Sequence, residues 1–118
     1  MPSLVVLEAA ADWIAALANE QQKSVLRYMT LLEVRGVTLP FPYCSEIKGA
    51  RCAMRELRIK AKGHQLRVLY AYDPTRSAVV ILGGDKTGDD RFYEWAVPAA
   101  DKLFAEYVST LKEEKLQK

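Results

Sequence analysis

An α+β fold, with helices packed on one face of a mainly antiparallel sheet, follows from how the spacing of apolar residues changes along the chain. A short β-branched run opens it, two segments with helical spacing follow, two segments of the middle alternate, and the end returns to helical spacing. With 118 residues, 50% hydrophobic and 27% charged, the chain has apolar material for one core, so residues 1–118 are expected to form a single domain.

Leu4-Val-Val-Leu7 reads as a strand. From Glu8 to Ala18 the alanines, Trp13, Ile14 and Leu17 recur at helical spacing, and Asn19 is placed to close that helix and cap the next. A second helix is expected from about Glu20 to Arg35, with Val25, Leu26, Met29 and Leu32 as its stripe and Gly36 as its stop. The two form a helical hairpin. Pro40 and Pro42 make residues 36–49 an extended connector. Met54 to Lys60 and Leu66 to Tyr72 alternate around a turn at residues 62–65, giving an antiparallel pair with Leu66, Val68, Tyr70 and Tyr72 on one face. Ala78-Val-Val-Ile-Leu82 is apolar on both faces, which marks a covered central strand. Asp89 or Asp90 can cap a helix from near Arg91, with Pro98 interrupting it or starting its main body.

No apolar run is long enough to span a bilayer, and Glu8 arrives too early for a signal-peptide core, so no membrane association and a cytoplasmic location are expected. Cys44 and Cys52 match no zinc spacing, and a single histidine, His64, excludes H-E-x-x-H chemistry, so neither a metal nor another cofactor is expected.

Net charge is only +2, but it is concentrated. Residues 1–47 and 77–118 are each net −2, while Lys48 to Arg76 holds eight basic and two acidic residues, net +6. That block predicts an anionic partner, phosphate first. Within it Arg58 and Arg67 fall on the face opposite the apolar residues of their strands, close enough to grip one phosphate and stabilise added charge on it. Both are expected to leave the core, so alanine at either should spare the melting temperature. Arg55, Lys60 and Lys62 extend the basic surface, and Tyr70, Tyr72 or Tyr93 could stack on a base, with core packing the stronger expectation for Tyr70 and Tyr72. Gly83-Gly-Asp-Lys-Thr-Gly88 follows the central strand, where glycines permit close ligand approach and Lys86 could hold phosphate or move a proton.

Met54-Arg-Glu-Leu-Arg58, Leu66-Arg-Val-Leu-Tyr70 and Leu82-Gly-Gly-Asp-Lys-Thr-Gly88, continuing to Tyr93-Glu-Trp, resemble the RelE/HigB superfamily of type II toxins, and more narrowly its phage-derived HigB-like branch. The resemblance implies a RelE-like fold: a short strand and helical hairpin, a mainly antiparallel sheet and a C-terminal helix. It implies a metal-independent endoribonuclease that cuts messenger RNA, typically on the ribosome, through 2′-hydroxyl attack, and that is silenced by a helix-turn-helix antitoxin. Carried onto this chain, the catalytic set is Arg58, Arg67 and Lys86, with Asp85 or Tyr93 in proton transfer, and the substrate-binding set is Arg55, Lys60, Lys62 and Tyr70. Leu66 and Asp85 depart from the family's usual residues. Toxins of the same fold that inhibit DNA gyrase without nuclease chemistry, and a non-enzymatic interaction module, are the alternatives.

Overall fold

The computed structural model describes residues 3–116. Strand β1 (Leu4–Val6) leads into helices α1 (Glu8–Ala15) and α2 (Asn19–Arg35), a 3-10 turn (Gly36–Thr38), strands β2 (Cys44–Glu46), β3 (Arg55–Ala61), β4 (His64–Tyr72) and β5 (Ala78–Asp85), and helix α3 (Phe92–Leu116). The sheet order is β1-β5-β4-β3-β2, with β1 parallel to β5 and every other pair antiparallel. The α+β fold and the strand-and-hairpin start are as the sequence predicts.

Several details differ. α1 stops at Ala15, and Ala18, not Asn19, is the N-cap of α2, with no side-chain cap bond. The 36–49 connector contains the edge strand β2, whose three residues are too few for alternation to reveal. Lys62 and Gly63, with φ of 47° and 81°, make a two-residue turn, so β4 starts earlier than expected, at His64.

The larger correction concerns the layers. Helices cover both faces of the sheet, not one. On one face Leu57, Ile59, Leu66, Val68, Tyr70 and Val80 pack with Ala10 and Ile14 of α1 and Val25, Met29 and Leu32 of α2. On the other, Leu69, Ala71, Val79, Ile81 and Leu82 pack with Phe92, Ala96, Val97 and Ala100 of α3. A bulge keeps β5 apolar on that second face: Ile81 is the extra residue between the pairs Leu69–Leu82 and Tyr70–Val80, and both Ile81 and Leu82 turn towards α3.

Gly83 and Gly84 lie inside β5 without positive φ, so they serve packing rather than ligand approach. A Cβ on Gly83 would stand 2.3 Å from the Trp13 ring of α1, and one on Gly84 would stand 2.6 Å from Phe92 of α3. The bare backbone lets both helices close onto the strand. Asp89 accepts the Arg91 backbone N–H at 3.0 Å in the turn just before α3, which starts at Phe92, and Pro98 sits within a continuous helix. That seats the first turn of α3, with Tyr93, over the end of the sheet.

Candidate active site

Alternation along β3 sends Leu57 and Ile59 towards the helical hairpin and Glu56, Arg58 and Lys60 towards α3. The register then sets Arg58 directly opposite Arg67, with Lys60 opposite Gln65 two pairs further along on the same face. Like charges facing across a ladder repel. The compensation is Glu56, 4% exposed, whose carboxylate lies within ion-pair distance of both guanidiniums: Arg67 Nε is 3.4 Å from Oε1 and Arg58 Nη1 is 3.6 Å from Oε2. Tyr93 donates its hydroxyl to Oε1 at 2.7 Å and Ser45 donates to Oε2 at 2.9 Å. A buried carboxylate without such partners would be strongly disfavoured.

The two arginines are not equivalent. The Arg58 side chain is 35% exposed, and its guanidinium carbon lies 5.6 Å from the centroid of the Phe41 ring. Arg67 is only 3% exposed, donating through Nη1 to the Leu66 carbonyl at 3.0 Å and through Nη2 to Gln65 Oε1 at 3.4 Å. Its Nε–H, though close to Glu56, is not aligned for a hydrogen bond. Arg67 leaves the hairpin core as expected, but the face it enters is itself covered, so it does not reach solvent.

Lys86 joins from the end of β5, where its backbone N–H extends the ladder to the Gln65 carbonyl at 2.8 Å and its Nζ sits 5.2 Å from the Tyr93 ring centroid. Burial raises the Tyr93 phenol above its ordinary value and Glu56 raises it further, against an opposing pull from Arg67. Tyr93 therefore stays a proton donor at neutral pH. Arg58, Arg67, Lys86, Tyr93 and Glu56 thus form one cluster, with exposed Lys60 beside it on the same face.

Four residues expected near the site are elsewhere. Asp85 pairs with Leu66 in the ladder and so shares the hairpin face, where its carboxylate meets His64 Nδ1 at 2.6 Å and the Thr87 N–H at 2.9 Å. Burial pushes its pKa up, but the Thr87 and His64 bonds outweigh that and hold it below the usual carboxylate value. Arg55 and Tyr70, opposite each other, also face the hairpin, with Arg55 Nη2 donating to Cys44 Sγ at 3.5 Å. At 1% exposure Tyr70 offers no ring to a base. Lys62, in the turn, pairs with Glu20 of α2. Glu56 was not among the residues expected at the site. Its signal was present, because it is one of two acidic residues in the basic block and is in phase with Arg58.

The family described as phage-derived protein Gp49-like matches residues 12–105. The chain belongs to that family. Two candidate toxins of Mycobacterium tuberculosis strain H37Rv are similar across most of this chain. HigB2 is 31% identical over 112 residues, 92% of this chain and 56% of that protein, so the chain spans little more than half of HigB2's length. HigB3 is 35% identical over 102 residues, 85% of this chain and 88% of that one. Among solved structures, a mutant of the E. coli toxin RelE in the free state superposes with a TM-score of 0.60 at 13% identity, covering 82% of this chain and 95% of that one. The archaeal RelE–RelB complex of Pyrococcus horikoshii OT3 gives 0.53 at 12%, covering 74% and 97%. The Gp49-like chain is thus a RelE/HigB-superfamily protein with the RelE fold.

Proposed function

We propose that this Gp49-like protein is the toxin of a type II toxin–antitoxin pair and that it cuts messenger RNA on the ribosome. The observation that carries the reading is the facing pair Arg58 and Arg67, joined by Lys86 and balanced by the single carboxylate of Glu56, which leaves a net positive cluster at the surface. Arg58 is the guanidinium with free surface, so it takes the non-bridging phosphate oxygens, while Arg67 adds a fixed cation behind it.

The substrate's 2′-hydroxyl oxygen forms the new bond to phosphorus and the bond to the 5′-oxygen breaks, leaving a 2′,3′-cyclic phosphate and a 5′-hydroxyl. The proton lost from the 2′-hydroxyl passes through the Tyr93 phenol to Glu56, along the 2.7 Å bond already formed. The Lys86 ammonium gives its proton to the departing 5′-oxygen. Arg58, Arg67, Lys86 and Tyr93 keep the roles suggested by the resemblance, and Lys60 adds a backbone contact to RNA. Asp85, Arg55, Lys62 and Tyr70 are assigned none, because each is placed away from the cluster. The chemistry uses fixed cations and needs no metal.

A helix-turn-helix antitoxin is the proposed partner, and the cytoplasm, where translated messages are found, the proposed location. Among the described residues, no helix is long and apolar enough to cross a membrane. Inducing the protein without its antitoxin should arrest growth, and primer extension should show discrete cuts within translated messages. Intact messages accompanied by gyrase-dependent DNA breaks would overturn the nuclease reading.

A further inference from the structure

Phe41 is a large apolar side chain left 70% exposed, and it belongs to neither of the two apolar clusters. It sits in the connector before β2, which is tied to the site by the Arg58 backbone N–H donating to the Tyr43 carbonyl at 2.9 Å. Tyr43 itself packs on Tyr28, with ring centroids 6.0 Å apart. Phe41 instead has the Arg58 guanidinium over its ring, 5.6 Å from the centroid, and that contact leaves most of the side chain open. Trp95, another exposed aromatic, is accounted for structurally. Its indole N–H donates to Asp89 at 3.0 Å, and its ring packs edge-on against Phe92 above Gly84.

We propose that Phe41 is a stacking platform for the nucleobase adjoining the phosphate that Arg58 holds. The proposal rests on the RNA-cleaving reading and deepens it by assigning a base subsite. Single-stranded RNA offers unstacked bases next to its phosphates, and a guanidinium beside an open aromatic ring matches that pairing of charge and flat apolar surface. The stacking role that the sequence offered to Tyr70, Tyr72 or Tyr93 thus passes to a residue of the connector. Because every base has a π face, the platform adds affinity with little sequence preference.

The test is a coupling cycle on purified protein. Binding of a short single-stranded RNA, made uncleavable by 2′-O-methyl groups, is measured by fluorescence anisotropy for wild type, Phe41→Ala and Phe41→Trp. The same RNA is then measured with a single abasic nucleotide at each position in turn. Phe41→Ala should weaken binding by roughly 5- to 100-fold at an unchanged melting temperature, and Phe41→Trp should restore it. At one position the abasic nucleotide should cost wild type a similar factor and cost Phe41→Ala almost nothing. Equal abasic effects in both proteins would mean that Phe41 only steadies Arg58, and would overturn the proposal, as would undiminished binding by Phe41→Ala or no binding by wild type. Cleavage of unmodified message on ribosomes is scored separately. If wild type binds with the expected coupling but cuts nothing, the nuclease reading fails and the base subsite stands.

Discussion

Arg58 and Arg67 occupy directly opposing positions of the β3–β4 ladder, and the carboxylate of Glu56, two residues before Arg58 on the same face, lies 3.6 Å from one and 3.4 Å from the other. Two guanidiniums are held together here because a buried anion offsets their repulsion. Burial then divides the labour: the 35% exposed Arg58 side chain can meet a ligand, whereas Arg67 holds the anion in place from inside the fold.

That division predicts different outcomes for the two alanine variants. Arg58→Ala should abolish or sharply reduce toxicity with a melting temperature near wild type. Arg67→Ala should also lower stability, by on the order of 3 kcal/mol, because it strips a cation from a buried carboxylate. Urea denaturation of both variants checks this. Equal stability in the two would mean that the Arg67–Glu56 pair contributes nothing to the fold.

Glu56→Gln keeps the shape of the side chain but removes the countercharge. Toxicity should fall, and the Tyr93 phenol should titrate at lower pH than in wild type, since Glu56 is one of the causes that raise it. The shift should be partial, because burial is the larger cause. Tyrosinate absorbance followed against pH, with the curve of a Tyr93→Phe variant subtracted to remove the other five tyrosines, reads it. An unchanged Tyr93 titration would remove Glu56 as an influence on that phenol.

The strands and helices were legible because each carries a pattern longer than its own period. In β3, Leu57 and Ile59 alternate with Glu56, Arg58 and Lys60, in β4 Leu66, Val68, Tyr70 and Tyr72 recur on one face, and the hairpin turn falls where Lys62-Gly63 breaks the alternation. The three-residue β2 has no such length. The second covered face was the larger miss: Arg67 and Gln65 made one side of β4 look solvated, although Leu69 and Ala71 on that side are buried under α3. The arginine pair was legible from alternation and turn position together. Its coupling to Tyr93 was not, because the docking of α3 depends on a close approach at Gly84 that no local pattern encodes.

The paired glycines should respond differently to substitution. Gly83→Ala presses on Trp13, on the face away from the arginines, and should cost about 1–3 kcal/mol of stability with activity lost only as the protein unfolds. Gly84→Ala presses on Phe92, next to Tyr93 in α3, and should also loosen the Tyr93–Glu56 bond. At a temperature where both variants remain folded, Gly84→Ala should be the slower in message cleavage. Equal rates would mean that the first turn of α3 does not set the chemistry.

Asp85 and Lys86 are neighbours in sequence but engage opposite sides of the sheet, so they separate site from scaffold most sharply. Lys86→Ala should slow cleavage with RNA binding largely kept if the ammonium supplies the leaving group's proton, whereas weaker binding at an unchanged rate would make it a phosphate clamp. Asp85→Asn should leave cleavage near wild type and act on stability alone. The folded pKa of Asp85 lies below the ordinary value of 3.8, so its ionised form stabilises the fold at every pH above that value, and the contribution fades as pH falls below it. The wild-type advantage over Asp85→Asn should therefore include an Asp85 contribution that is fully present above about pH 4. That contribution should shrink only at more acid pH, in a series of melting curves whose neutral end is also small because the pair with His64 is partly exposed. Loss of cleavage in Asp85→Asn at neutral pH, with the melt unchanged, would return Asp85 to the catalytic set despite its position beside His64.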